Sequence, residues 1–150
     1  MLGPSFRRNP SYGSLPAIKR YDGLFYRVAR KYLGDVREVD VLVMKDDLTL
    51  VDAKTLLPYS PPEGKKWYRH SISKKAVERA RMLNAPILSE KLKRTKYSEV
   101  FIAMGRKYAE ALPDLSQYGL KVIFPTHGGP GPKAQALKNW FSVREKVDEY

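Results

Sequence analysis

The sequence predicts an α/β fold, and three observations carry that prediction. The chain has 150 residues, the length of one ordinary domain with one core. Short β-branched runs at Val39–Met44, Val100–Met104 and Leu120–Phe124 alternate with segments of helical period from Val39 onward. No stretch repeats, and none is of low complexity. Alternation of this kind favours a single three-layer domain: a mostly parallel sheet of three to four strands with helices on both faces.

Residues 1–20 hold Gly3, Pro4, Pro10, Gly13 and Pro16 without apolar periodicity and read as an irregular basic arm that orders on a partner. Residues 21–150 form the domain. Asp22 offers an N-cap, Leu24, Phe25, Val28, Ala29, Tyr32 and Leu33 recur on one helical face, and Gly34 supplies the stop. Glu38–Met44 suits a buried strand, broken by Lys45-Asp46-Asp47, and Leu48–Val51 suits a short second one. Pro58, Pro61, Pro62 and Gly64 then make a loop.

Ser71 or Ser73 caps a helix to about Leu83, with Ile72, Ala76, Ala80 and Leu83 inward and Lys74, Lys75 and Arg81 outward. Pro86 fits the first turn of a separate following helix through about Lys93. Val100–Met104 and Leu120–Phe124 give two more buried strands, with a helix over Arg106–Leu112 between them. A last helix from Pro132 to about Lys146 turns Leu137, Trp140 and Phe141 inward. In such folds ligands bind beyond the carboxyl ends of the strands, which nominates Lys45–Asp47, Gly105–Lys107 and Thr126–Lys133.

The chain lacks cysteine, which excludes disulfides, thiolate metal sites and a cysteine nucleophile, and fits a cytoplasmic setting. No apolar run reaches the roughly 18 residues of a membrane span and no targeting segment opens the chain, so no membrane is expected as a partner. The formal charge is +12, and two stretches hold essentially all of it. Residues 1–21 contribute Arg7, Arg8, Lys19 and Arg20 and no acid; residues 65–96 contribute eleven bases against Glu78 and Glu90. Segregated charge of this kind steers a polyanion, and nucleic acid is the expected partner. A scarcity of Asn and Gln also fits a thermophile, but ion-pair enrichment would raise acids and bases together.

The residues expected to contact nucleic acid are Arg7, Arg8, Lys19, Arg20, Lys65, Lys66, Trp67, Tyr68, Arg69, Lys74, Lys75 and Arg81. In Lys66-Trp67-Tyr68-Arg69-His70 aromatics interleave with cations, as in single-strand binding surfaces. The same aromatics equally suit a loop anchored to the core. Gly128, Gly129, Gly131 and Lys133 outline a phosphate cradle at a helix start, although Pro130 and Pro132 remove two donors; a tight turn explains the same residues. Neither the Walker nor the dinucleotide spacing is met, so no cofactor is expected. His127 and Asp46 are the candidate proton-transfer residues. Asp46 and Asp47 could also hold a hard cation, but a turn explains them better and no metal is expected.

Several motifs, in order, resemble a family of small α/β proteins related to the bacterial peroxide-stress protein YaaA. They are Tyr21-Asp22-Gly23-Leu24-Phe25 with Arg30-Lys31-Tyr32, Val41-Leu42-Val43-Met44 with Leu50, Pro58 and Tyr59, Val100 to Tyr108, and Gly128-Gly129-Pro130-Gly131 leading to Leu137 and Trp140. The chain departs from the family after the first strand, where Lys45-Asp46-Asp47-Leu48-Thr49-Leu50 replaces Ser-Ala-Lys-Tyr-Gly-Leu. The resemblance implies an α/β fold and a link to DNA binding and stress protection. Taken together, the expected function is nucleic-acid binding, with a link to nucleic-acid modification or stress protection. The alternative is an enzyme acting on nucleotides or bases through the 126–133 loop, and a scaffold meeting an acidic protein is a third reading.

Overall fold

The computed structural model describes residues 1–33, 39–62 and 72–148. In chain order the elements are β1 (Leu15–Pro16), α1 (Ala17–Arg20), α2 (Leu24–Leu33), β2 (Leu42–Met44), β3 (Leu50–Asp52) and β4 (Leu56–Leu57). There follow α3 (Lys74–Arg94), β5 (Glu99–Phe101), α4 (Arg106–Ala109), a 3-10 turn at Leu115–Tyr118, β6 (Lys121–Ile123) and α5 (Pro130–Asp148).

The expected mostly parallel sheet of three to four strands does not form among the described residues. Strands are two or three residues long and pair two by two, β1 with β4 and β2 with β3 antiparallel, and only β5 with β6 parallel. β2 does not pair with β5 because the Met1–Gly3 backbone lies between them, bonded to Leu42 and Met44 on one side and to Ala103 on the other; on the opposite edge of β2 only Lys45–Thr49 leads to β3, too short for a parallel crossover. That link closes as a hairpin, with Lys45 N–H donating to Thr49 O and Leu48 N–H to Lys45 O, both at 2.9 Å. Leu48 takes a left-handed φ of 70°, an uncommon state for a branched side chain.

Leu2 joins two of these pairs. It bridges Val43 on one side and Ala103 on the other, both in parallel sense, and its N–H and C=O bond Leu42 O at 2.9 Å and Met44 N at 2.8 Å. Leu2 is therefore core, and so are Ala17 and Ile18 of the segment read as an irregular arm. Gly3 follows because there is no room for more: a Cβ on it would lie 2.6 Å from that of Met104.

Successive strand residues feed two clusters, as the period of two requires. Val43, Phe101 and Ala103 pack with Leu2, Tyr26, Ala29 and Tyr32 of α2 and Leu137 and Phe141 of α5. Leu42, Met44, Ile102 and Met104 pack instead with Val77, Ala80 and Leu88 of α3.

Two helices differ from expectation. Lys74–Arg94 is one helix, not two, with Pro86 in its interior. The ring removes the N–H that would reach the Met82 carbonyl, but both residues are exposed, so water can take that place. The inward face is Val77, Ala80, Asn84 and Leu88, while Ala76 and Leu83 face outward. The last helix begins at Pro130 rather than Pro132.

Candidate nucleic-acid interface and a cavity

The cations of the N-terminal segment are largely engaged by the fold. Arg20 is only 2% exposed and meets no carboxylate among the described residues; its guanidinium donates to the carbonyls of Asn9 at 2.7 Å, Ser11 at 3.0 Å, Leu57 at 3.2 Å and Gly13. The Tyr59 ring lies 5.7 Å from it. Such an arginine ties the carbonyls of residues 9–13 to the end of β4. Arg8 grips Asp46 through both terminal nitrogens at 2.8 and 2.7 Å, donates to Ser60 O at 2.8 Å, and lies over the Tyr21 ring at 5.3 Å. Burial, and then the Asp46 charge, push the Tyr21 hydroxyl well above its ordinary range. Asp46 is thus one half of a bidentate pair, both of its oxygens engaged by Arg8.

Asp22 does not cap α2. Its carboxylate is shared by Arg30, Arg27 at 3.4 Å and Arg7 at 3.6 Å. Burial raises its pKa, but the hydrogen bonds from Arg30 and Arg27 outweigh that and hold it below the ordinary 3.8. Lys19 is exposed and meets no carboxylate among the described residues.

The third helix presents a different picture. Ser73 caps it by accepting from Ala76 N–H at 3.1 Å. Opposite the buried Val77, Ala80, Asn84 and Leu88, the residues Lys75, Arg79, Met82, Pro86 and Lys93 follow one another at helical spacing and are all exposed. Lys74, Lys75, Arg79 and Lys93 meet no carboxylate among the described residues, whereas Lys91 pairs with Asp52 and Arg94 with Glu90. Arg81 is exposed but donates to Glu110 O at 3.0 and 2.6 Å, tying α3 to the end of α4. The middle of the outer face is apolar, with Met82 78%, Leu83 48% and Ile87 37% exposed. Lys65, Lys66, Trp67, Tyr68, Arg69 and His70 lie outside the described residues.

One residue of α3 escaped the sequence reading. Asn84 is fully buried: its Oδ1 accepts from Leu50 N–H, and its Nδ2 donates to the Leu48 and Ala111 carbonyls, all at 2.9 Å. It fixes α3 against the hairpin and holds the left-handed Leu48 in place. Its only sequence signal was polarity at an inward helical position.

The loops nominated at the carboxyl ends of the strands hold turn chemistry. Asp47 Oδ1 accepts from Thr49 N–H at 3.1 Å and Thr49 Oγ1 at 2.6 Å, an aspartate turn. Arg106 and Lys107 are exposed at the start of α4. In the 126–133 loop Gly128 has φ 82°, and a Cβ there would meet Pro132 Cβ at 3.1 Å. Gly131 falls inside the first turn of α5, Gly129 and His127 are exposed, and Lys133 is half-buried with its N–H on Gly129 O at 3.4 Å. No hydrogen bond or ion pair among the described residues joins His127 to Asp46 or to Lys133.

A cavity of about 460 Å³ lies at the opposite side, by the amino ends of β2, β5 and β6. Its mouth carries two satisfied polar groups. Tyr97 donates its hydroxyl to Asp40, and burial followed by that bond raises the phenol's pKa. Glu99 accepts from Trp140 Nε1 at 3.0 Å and pairs with Arg144, whose guanidinium lies 3.5 Å from the Trp140 ring centre.

Among the described residues no group of three or more His, Cys, Asp or Glu could hold a metal ion, and no helix is long and apolar enough to cross a membrane. Comparison with known proteins adds no relative: no family model, no curated protein and no solved structure matches the chain.

Proposed function

We propose that the protein binds nucleic acid through the outer face of α3, with single strands preferred to duplex. One observation carries the reading: Lys74, Lys75, Arg79 and Lys93 stand exposed on a single helix without carboxylate partners among the described residues. Lys75 and Lys93 lie about 27 Å apart along the helix axis, a span that takes several phosphates of an extended strand. The apolar centre at Met82, Leu83 and Ile87 supports the single-strand preference, because unstacked bases offer it an apolar face and a duplex offers it phosphate. The kinship with YaaA-related proteins and their link to DNA stays part of this proposal. The test is anisotropy of a labelled oligonucleotide over a range of salt. Four phosphate contacts give a log–log slope of about −2.8 on a single strand and about −3.6 on a duplex. Affinity unchanged between low and high salt contradicts the reading.

The apolar centre also favours a second reading, an acidic protein partner whose apolar residues cover Met82 and Leu83. Competition by heparin with indifference to defined oligonucleotides would select it. A nucleotide- or base-processing reaction at residues 126–133 has less support, because no hydrogen bond or ion pair among the described residues orients His127.

A further inference from the structure

We propose that the cavity at the amino ends of β2, β5 and β6 binds a small organic anion with an apolar body, its charged head placed at Lys96. The volume of about 460 Å³ lies in the range of small-molecule sites. Its depth is lined by Leu42, Leu88, Val100, Leu137 and Phe141, side chains that give water few of the hydrogen-bond partners it needs. A nucleoside would set its ribose hydroxyls against the same walls, so the ligand is of another class than the strand proposed for α3.

The mouth selects the sign of the head group. Asp40 is taken by Tyr97, Glu99 by Trp140 and Arg144, and Lys91 by Asp52 at 3.6 Å. Lys96 lines the mouth, is exposed, and meets no carboxylate among the described residues. A cationic head would find Asp40 already accepting from the Tyr97 hydroxyl and Glu99 paired with Arg144, whereas an anion completes Lys96 and disturbs none of these contacts. The aromatic faces are also in use: Arg144 covers Trp140, and Phe141 lies parallel to Tyr32 at 5.5 Å. Shape therefore governs the fit more than stacking.

The test titrates the full chain with anilinonaphthalene sulfonate, using dodecanoate as competitor and the uncharged phenylnaphthylamine as control. One saturable site displaced by dodecanoate is expected. Lys96→Glu should weaken the sulfonate at least tenfold and leave the uncharged analogue unchanged. Val100→Trp or Leu92→Trp, each filling the cavity, should abolish both. Lys75→Gln/Arg79→Gln/Lys93→Gln should weaken oligonucleotide binding and leave the sulfonate untouched, which separates this site from the α3 surface. Absence of a saturable site overturns the proposal, and so does equal sulfonate affinity in wild type and Lys96→Glu. The Lys96 comparison decides the matter even if neither tryptophan variant folds.

Discussion

The N-terminal thirty residues and α3 are both rich in arginine and lysine, yet they use them in different ways. In the first region Arg20 and Arg8 are buried among carbonyls or locked to Asp46, and Arg30 and Arg27 converge on Asp22. In the second, Lys74, Lys75, Arg79 and Lys93 extend into solvent from a helix whose other face is core. Charge density along a sequence therefore identifies where cations are, and only the fold decides which are free to meet a partner.

Substitutions that treat the two regions alike should expose this difference. Arg20→Ala leaves the Asn9, Ser11, Gly13 and Leu57 carbonyls without their donor and should cost about 4 kcal/mol of stability, measured by urea denaturation. A loss below about 1 kcal/mol would mean that the arginine is as dispensable as a surface cation. Asn84→Ala, on the buried face of α3, strips partners from Leu48, Leu50 and Ala111 and should cost about 3 kcal/mol. Ser73→Ala removes the cap of α3 and should cost about 1 kcal/mol.

The acid limb is the next, smaller test. Asp22 has a folded pKa below its ordinary 3.8, so its contribution is complete above that value and is lost as pH falls through the lower folded one. Wild type should thus lose more stability than Asp22→Asn on acidification below about pH 4, by less than about 1 kcal/mol because the cluster is partly solvated. Equal acid slopes would remove Asp22 as a hub. Smallest of all, Lys75→Gln or Arg79→Gln should shift stability by no more than about 0.5 kcal/mol in either direction.

Much of the element order was legible in advance. The periodicity of Leu24–Leu33 returned α2, and the aliphatic runs returned β2, β5 and β6 at roughly the expected places. Strand pairing was not legible from runs alone, because Met1–Gly3, read as part of an irregular arm, fills the edge of β2 that alternation assigns to a parallel neighbour. Asp22 read as a helix cap because caps are local, whereas its three arginines come together only through packing. Arg20 and Arg8 read as contact residues for the same reason: nothing in a linear sequence shows four loop carbonyls converging on one guanidinium. Pro86 read as a helix start, since propensity weighs it against an interior position; burial of Asn84 and Leu88 on either side holds the helix through it. The cavity was invisible because its walls, from Leu2 to Phe141, are assembled from segments far apart in the chain.

The most direct test of the central claim compares salt dependence of single-strand binding in wild type and in Lys74→Gln/Lys75→Gln/Arg79→Gln/Lys93→Gln. The account predicts weaker binding in the variant with the log–log slope shallower by about 2.8, four contacts at about 0.7 each, and unfolding midpoints that stay close. An unchanged slope and affinity would place the polyanion elsewhere on the molecule, or remove it.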